Sequence, residues 1–133
     1  MKDCDRADWR SSPDSDHLYD LTKRLQEEIA KDFADTLGMT TVVLRAGHVV
    51  DGREEVDPQG RPLRSIDYCR GGWVSRYDLA SACLKALELR RAGYSMYHVI
   101  GSTEAYGPFD VAMTEQELGL TFESRFEEYR QEN

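Results

Sequence analysis

An amphipathic segment followed at once by a buried-type strand is the feature that most constrains the fold. After a polar, acidic lead-in of residues 1–16, apolar side chains recur every three or four positions, which predicts a long helix. They are Leu18, Leu21, Leu25, Ile29, Phe33 and Leu37. We expect this stripe to pack on a sheet, with room for a partner helix. Gly38 predicts the end of the helix.

The β-branched and apolar run from Thr40 to Leu44 is typical of a strand covered on both faces. A helix, a glycine and a buried strand in this order form half of a parallel α/β unit.

A second helix is predicted after Trp73, Val74 and Ser75. Ser75 and Asp78 have the spacing of an acidic capping box, which indicates where this helix begins. Its predicted apolar face, which we expect to lie in the core, consists of Leu79, Cys83, Ala86 and Leu87. Gly93 marks the end of this helical region.

The remaining elements are shorter. Residues 94–100 alternate well enough to predict a strand. Asp110 predicts the start of a short helix that ends near Gly119. Residues 123–130 predict a final helical turn or two, and we expect the acidic stretch 115–132 to be a solvated surface. All of these elements belong to one domain spanning the 133 residues.

Composition excludes several classes of function. The net charge of −8 argues against a nucleic-acid partner, because neutralising phosphates requires clustered Lys and Arg. We expect no membrane association and a cytoplasmic location, since no apolar run has the length of a membrane span and the first residues do not resemble a signal peptide. Cys4, Cys69 and Cys83 are odd in number and lack metal-type spacing, and the three histidines form no paired motif. We therefore expect reduced thiols and no metal site.

Tyr19 and Lys23 are the residues that point most directly to chemistry. Four positions apart on a helix, they project from one face and can act on the same substrate atom. A phenol that exchanges protons needs its pKa, about 10 when free, lowered toward neutrality, and a nearby ammonium does this by stabilising the phenolate. Such a pair also arises by chance, so the flanking sequence must decide between a catalytic pair and an ordinary tyrosine and lysine on a helix.

Four stretches of the chain together resemble one family. They are Tyr19–Lys23 (YDLTK), Val43–Val49 (VLRAGHV), Gly72–Ala80 (GWVSRYDLA) and Tyr97–Gly101 (YHVIG). Their order and spacing resemble the extended short-chain dehydrogenase/reductases, the NAD-dependent sugar epimerases, dehydratases and dehydrogenases. The corresponding family patterns are Tyr-x-x-Ser/Thr-Lys, Leu-Arg-Pro-Gly-x-Val, Trp-Val-x-x-x-Asp-Val-Ala and Phe-Asn-Ile-Gly. Ala46 stands where the family has proline. The resemblance covers most of residues 13–129, and the stretch Arg70–Trp73 (RGGW) is similar to uronate dehydrogenases within that family.

The resemblance implies an α/β fold of partial Rossmann type, a doubly wound parallel sheet that lacks the N-terminal dinucleotide-binding turn. The ten glycines contain neither Gly-x-x-Gly-x-x-Gly nor Gly-x-Gly-x-x-Gly, the patterns that let a backbone approach a pyrophosphate. The family's upstream catalytic serine has no counterpart either, because Ser11, Ser12 and Ser15 lie too close to Tyr19 and are expected to cap the helix. The chain therefore resembles a C-terminal half, whether a truncated gene product, a gene-model fragment or one piece of a split protein.

The family pattern implies roles for individual residues. Tyr19 would be the acid/base that exchanges a proton with a substrate hydroxyl, and Lys23 would hold the nicotinamide ribose of NAD or NADP. Gly47, His48 and Val49 would form the nicotinamide side of the cofactor site. His48 is equally well read as a loop histidine without a ligand.

The long glycine-rich connection of residues 51–72 is predicted to lie on the substrate side. Arg53, Arg70 and Arg76 would meet an anionic group of a sugar-type substrate, although any one of them alone fits a surface charge equally well. Trp73 is a candidate platform for a sugar ring, and packing in the core is its favoured alternative.

Three functional hypotheses remain open on the sequence. The chain is part of an NAD(P)-dependent sugar or sugar-acid oxidoreductase or epimerase, carrying the Tyr–Lys pair and the substrate side. Alternatively, it is a non-catalytic binding module that forms a homodimer through the helix of residues 17–37, as family members commonly do. The third is a chain that folds poorly alone, since a parallel sheet without its first strands exposes an edge and an apolar face.

Overall fold

The computed structural model describes residues 17–66 and 72–130. The helices are α1 (His17–Leu37), α2 (Arg76–Glu88) and α3 (Val111–Leu118), and the strands are β1 (Thr41–Ala46), β2 (His48–Val50), β3 (Trp73–Ser75) and β4 (Tyr94–Val99). Single 3₁₀ turns occur at Leu63–Ser65, Thr103–Tyr106 and Glu127–Tyr129. The predictions for Ser11, Ser12, Ser15 and Arg70 fall outside the described residues.

The strands form two small parallel sheets. β1 pairs with β4 from Thr41 opposite Tyr94 to Ala46 opposite Val99, and β2 pairs with β3. The connection from β1 to β4 contains α2, as parallel pairing commonly requires. The predicted mixed α/β class with parallel strands is confirmed.

Local end signals predicted several boundaries correctly. Gly38 takes a left-handed φ of 66° directly after α1, a conformation that glycine adopts without steric cost. Asp110 accepts a hydrogen bond from the Met113 N–H at the start of α3, and Gly119 ends that helix with a φ of 64°. The strand predicted over residues 94–100 is β4.

The apolar stripe of α1 faces away from the sheet. All six of its members are between 41% and 71% exposed, so the prediction that the stripe packs on the sheet is wrong for the part of the chain that the structure describes. Among the α1 side chains that the structure describes, those of Glu27 and Ala34 are buried. The face of α1 that packs on the sheet therefore carries the smaller and more polar side chains.

A buried ion pair joins α1 to β1. Arg45 donates from Nε to one carboxylate oxygen of Glu27 at 2.8 Å and from Nη2 to the other at 2.7 Å. The two side chains are only 4% and 5% exposed. A bidentate pair of this kind fixes both distance and orientation, so it determines which face of α1 meets the sheet.

The main core lies between β4, α3 and the segment after α3. Its buried residues include Tyr97, Val99, Val111, Leu118, Leu120 and Phe122. The prediction that the stretch 115–132 is only a solvated surface is therefore wrong, because its apolar residues are core residues. Its predicted helical end is reduced to one 3₁₀ turn, Glu127–Tyr129.

The predicted core face of α2 needs correction as well. Ala82 is fully buried and Leu79 packs against the core, but Cys83 is exposed and Leu87 is 82% exposed. The apolar spacing identified a face without identifying which residues on it meet the sheet.

Asp78 has a different role from the one that its spacing predicted. Ser75 does cap α2, accepting a hydrogen bond from the Tyr77 N–H. Asp78 instead accepts hydrogen bonds from the backbone N–H groups of Glu123 and Ser124, at 2.8 and 3.1 Å. It is 2% exposed and ties the C-terminal segment to the first turn of α2.

We predict that Glu27→Ala lowers the free energy of unfolding by about 3–5 kcal/mol, because it leaves the buried Arg45 guanidinium without its carboxylate. Urea unfolding followed by circular dichroism measures this loss. Glu28→Ala, an exposed neighbour on the same helix, is the matched control and should change the free energy by less than about 0.5 kcal/mol. Equal losses in the two variants would contradict a structural role for the pair.

Candidate functional site

Tyr19 and Lys23 lie together on the exposed surface of α1. The Lys23 Nζ is 5.5 Å from the centroid of the Tyr19 ring, and the Tyr19 side chain is 51% exposed. Lys23 also reaches the Gln26 amide oxygen at 3.4 Å. One turn of helix thus places an ammonium beside a phenol that solvent or a ligand can reach, as the sequence spacing predicted.

Gly47, His48 and Val49 lie where the chain passes from one sheet to the other. The Gly47 N–H donates to the Val99 carbonyl at 3.1 Å, and the His48 N–H donates to the Gly72 carbonyl at 3.0 Å. A Cβ on Gly47 would lie 2.8 Å from that Gly72 oxygen, so only glycine fits this crossing without a shift of the backbone. The His48 side chain is exposed, whereas Val49 packs against the main core.

Two arginines from distant parts of the chain meet at one tyrosine. The guanidinium carbon of Arg53 lies 3.8 Å from the centroid of the Tyr77 ring, and that of Arg76 lies 4.9 Å from it. Arg76 also donates to the Tyr77 hydroxyl at 2.8 Å. Both arginine side chains are more than half exposed. Tyr77, which the sequence did not single out, is therefore the centre of this cluster.

Each arginine of the cluster is held by a carboxylate. Arg53 makes a bidentate contact with Glu123 at 2.8 and 3.0 Å, and Arg76 contacts Asp51 at 2.6 Å. The side-chain hydrogen bond from Arg53 lowers the pKa of Glu123 below its ordinary value. The Glu54 N–H, the Arg53 N–H and the charge of Arg76 together lower the pKa of Asp51. Both carboxylates are thus held ionised.

An open cavity of about 260 Å³ lies beside this cluster, lined mainly by polar side chains. Glu55, one of the lining residues, has a left-handed φ of 54° and accepts a hydrogen bond from the Tyr129 hydroxyl at 2.7 Å. Burial and this hydrogen bond raise the pKa of Tyr129 to about 12. The phenol therefore stays protonated and acts as a donor at any physiological pH.

Trp73 lies inside the protein. It is 1% exposed and packs edge-on against Phe126 and Tyr129, with ring centroids 5.6 and 5.4 Å away. This burial corresponds to the packing alternative and contradicts a sugar-stacking role.

The carboxyl ends of β2 and β3 lead directly to Asp51 and Arg76, so the fold itself brings Arg53 and Arg76 together.

The sequence contained a weak signal for the residues that were missed. Asp51, Tyr77 and Glu123 are polar residues at or near the ends of predicted elements, where functional side chains concentrate. The contact of Glu123 with Arg53 is accompanied by the hydrogen bond between the Glu123 N–H and Asp78, 45 residues away, and no local pattern encodes that contact.

Comparisons with models of protein families, with curated proteins and with solved structures find no match. In residues 17–66 and 72–130, no three His, Cys, Asp or Glu side chains are grouped as metal ligands would be. Within the same ranges, none of the helices combines the length and the apolar character needed to cross a membrane.

We predict that acid weakens the fold through this cluster. Because folding lowers the pKa values of Glu123 and Asp51, their contributions are fully present above their unfolded pKa values, near 4, and are lost as the pH falls through the lower folded values. Thermal unfolding between pH 7 and pH 2 measures the loss. Glu123→Gln should flatten the acid limb, while Glu88→Gln, at the exposed end of α2, should leave it unchanged. An identical acid limb in Glu123→Gln and the parent chain would contradict the assignment.

Proposed function

We propose that the chain is the substrate-side part of an NAD(P)-dependent sugar or sugar-acid oxidoreductase or epimerase of the extended short-chain dehydrogenase/reductase type. Tyr19 is the proton-exchanging residue and Lys23 is the residue that holds the nicotinamide ribose. The observation that carries the proposal is the placement of the Lys23 ammonium 5.5 Å from the accessible Tyr19 ring. The four family-like stretches support the same reading.

The parallel pairing supports a Rossmann-type arrangement. In such sheets the ligand lies beyond the carboxyl ends of the strands. The carboxyl end of β1 leads to Gly47, His48 and Val49, which we propose as part of the nicotinamide side of the site. The close approach of Gly47 to the Gly72 carbonyl suits a crossing where the backbone forms the wall.

Arg53 and Arg76 are proposed to meet an anionic group of the substrate. Both guanidiniums are exposed and stacked on Tyr77, so their orientation is restricted before a ligand arrives. Their present partners, Glu123 and Asp51, would exchange with a carboxylate or phosphate of the substrate, which arginine binds in the same bidentate manner. Arg70 is assigned to this group from the sequence alone, and Trp73 is no longer part of it.

The chemistry that this set performs is proton exchange coupled to hydride transfer. A bound nicotinamide would supply the hydride acceptor or donor, and Tyr19 would take or give the proton of the substrate hydroxyl. The ammonium of Lys23 stabilises the negative charge that develops on the phenol oxygen.

The test of the catalytic assignment uses the chain joined to whatever coding sequence lies upstream of Met1 in each reading frame. We predict NAD- or NADP-dependent oxidation of hexuronates or nucleoside-diphosphate sugars, followed by absorbance of the reduced nicotinamide. Tyr19→Phe should lower kcat by about 10²–10⁴-fold, because the proton acceptor is lost. Lys23→Met should raise the KM for the dinucleotide as well.

Two controls accompany this test. Tyr106→Phe and Lys31→Met remove the same groups from exposed positions elsewhere, and both should leave kcat unchanged. Calorimetry of the chain alone with NAD and NADP should give no micromolar binding. Full activity in Tyr19→Phe would exclude the proposed mechanism, and micromolar binding by the chain alone would contradict an incomplete cofactor site.

A second candidate function is a non-catalytic module that forms a homodimer through α1. The observation that favours it is the exposed stripe of six large apolar side chains along the 21 residues of this helix. Contiguous apolar patches of this kind mark interaction surfaces in soluble proteins. Burying the exposed part of each side chain contributes roughly 1 kcal/mol, which is enough for association in the micromolar range after the cost of immobilisation.

For this candidate, we predict that Ile29→Glu weakens self-association at least about 30-fold, because it places a charge in the middle of the apolar contact. Sedimentation equilibrium between about 5 and 500 µM measures the change. Leu87→Glu is the matched control, since Leu87 is 82% exposed on a different helix, α2. If both variants associate as the parent chain does, α1 is not the interface.

A further inference from the structure

We infer that Glu123 is an internal ligand of the proposed anion site, and that its side chain occupies the Arg53 guanidinium until an anionic group of the substrate displaces it. The contact is then autoinhibitory, because it lowers the affinity of the site for any external anion. This regulatory role rests on the function proposed for Arg53, and it follows from the geometry, exposure and anchoring of the two side chains.

The contact between the two side chains has the geometry with which arginine binds a free carboxylate. Arg53 donates from Nε to one carboxylate oxygen of Glu123 at 2.8 Å and from Nη2 to the other at 3.0 Å. Both side chains are about half exposed, 53% for Arg53 and 50% for Glu123, so a dissolved anion can reach the pair. One edge of a guanidinium accommodates one bidentate carboxylate, and an external anion must therefore displace Glu123 to bind there in the same way.

The backbone at Glu123 is fixed although its side chain is exposed. Asp78 accepts hydrogen bonds from the N–H groups of Glu123 and Ser124, and the neighbouring Phe122 is 5% exposed. An added Cβ on Gly101 would lie 2.5 Å from the Ser124 carbonyl oxygen, so this segment lies directly against the chain that follows β4. The carboxylate is thus tethered by its side chain alone, and it returns to Arg53 at a high effective concentration without movement of the main chain.

Arg53 keeps a second support when Glu123 leaves. Its guanidinium carbon lies 3.8 Å from the centroid of the Tyr77 ring. The ring contacts the flat face of the guanidinium, whereas a carboxylate binds its edge, so the two interactions do not compete. Displacement of Glu123 therefore leaves an arginine that is already oriented for an anion.

The other carboxylate of the cluster is held more firmly. Asp51 is 8% exposed and contacts Arg76 at 2.6 Å. It also accepts hydrogen bonds from the backbone N–H groups of Arg53 and Glu54, both at 3.0 Å. Removing Asp51 from these donors would cost their hydrogen bonds as well as the ion pair. Of the two carboxylates, Glu123 is therefore the one that an incoming anion displaces first.

The experiment titrates the full chain with sodium glucuronate in the absence of dinucleotide, so that it does not depend on catalysis by Tyr19. Binding is followed by NMR of the arginine Nε–H groups at constant ionic strength. The parent chain should bind weakly, and Glu123→Gln should bind about three- to fivefold more tightly, because the competing ion pair is lost. Glucose, which lacks the carboxylate, should leave the Arg53 signal unchanged in both proteins.

Two variants separate displacement of Glu123 from a general change in charge. Glu127→Gln removes the same charge from an exposed position four residues further along, where screening by salt should limit the change in affinity to less than about 1.5-fold. In an Arg53→Gln background, Glu123→Gln should give no gain, since the competing contact is already absent. Arg53 and Glu123 are both exposed, so these variants should retain the circular dichroism spectrum of the parent chain.

Two results would overturn the inference. One is equal affinity of Glu123→Gln and the parent chain for glucuronate, including the case in which neither binds it. The other is an undiminished gain from Glu123→Gln in the Arg53→Gln background. Full activity of Tyr19→Phe would refute the catalytic assignment and leave the gain in Glu123→Gln unaffected, so the two proposals fail separately.

Discussion

The buried pair between Glu27 and Arg45 sets the orientation on which the rest of the structure depends. Tyr19, Lys23 and Glu27 follow one another at four-residue spacing, so fixing Glu27 against β1 also fixes the direction of the other two. The same contact turns the apolar stripe of α1 outward. A single ion pair thus connects the candidate catalytic residues with the candidate interface on α1.

Asp78 anchors the C-terminal segment to α2, as the Glu27–Arg45 pair anchors α1 to β1. Its carboxylate holds two backbone N–H groups of the C-terminal segment, and this contact brings Glu123 to Arg53. The Arg53–Glu123 pair of the arginine cluster is therefore supported by a residue that belongs to neither ion pair of that cluster. Packing of Phe126 on Trp73 adds apolar burial to the same connection.

Signals that are local in sequence predicted the fold well, and contacts between distant segments account for the errors. Gly38 and Asp110 act on neighbouring residues, so their effects were predictable. Spacing along α1 and α2 identified apolar residues but not which of them meet the sheet, and Leu87 illustrates the error. In the candidate sites, the Tyr19–Lys23 contact follows from helix geometry. The arginine cluster required strand pairing and the bridge from Asp78, which no sequence pattern expresses.

The placement of Tyr19, Lys23 and Glu27 in one row of α1 limits how this chain can change in evolution. Inserting or deleting one residue between Lys23 and Glu27 would rotate the N-terminal part of the helix by about 100° relative to the sheet. The ammonium and the phenol would then leave their present position together, even though every side chain was retained. The connection that begins at Asp51 is not bound by such a register, so variation in length is expected to accumulate there and not in α1.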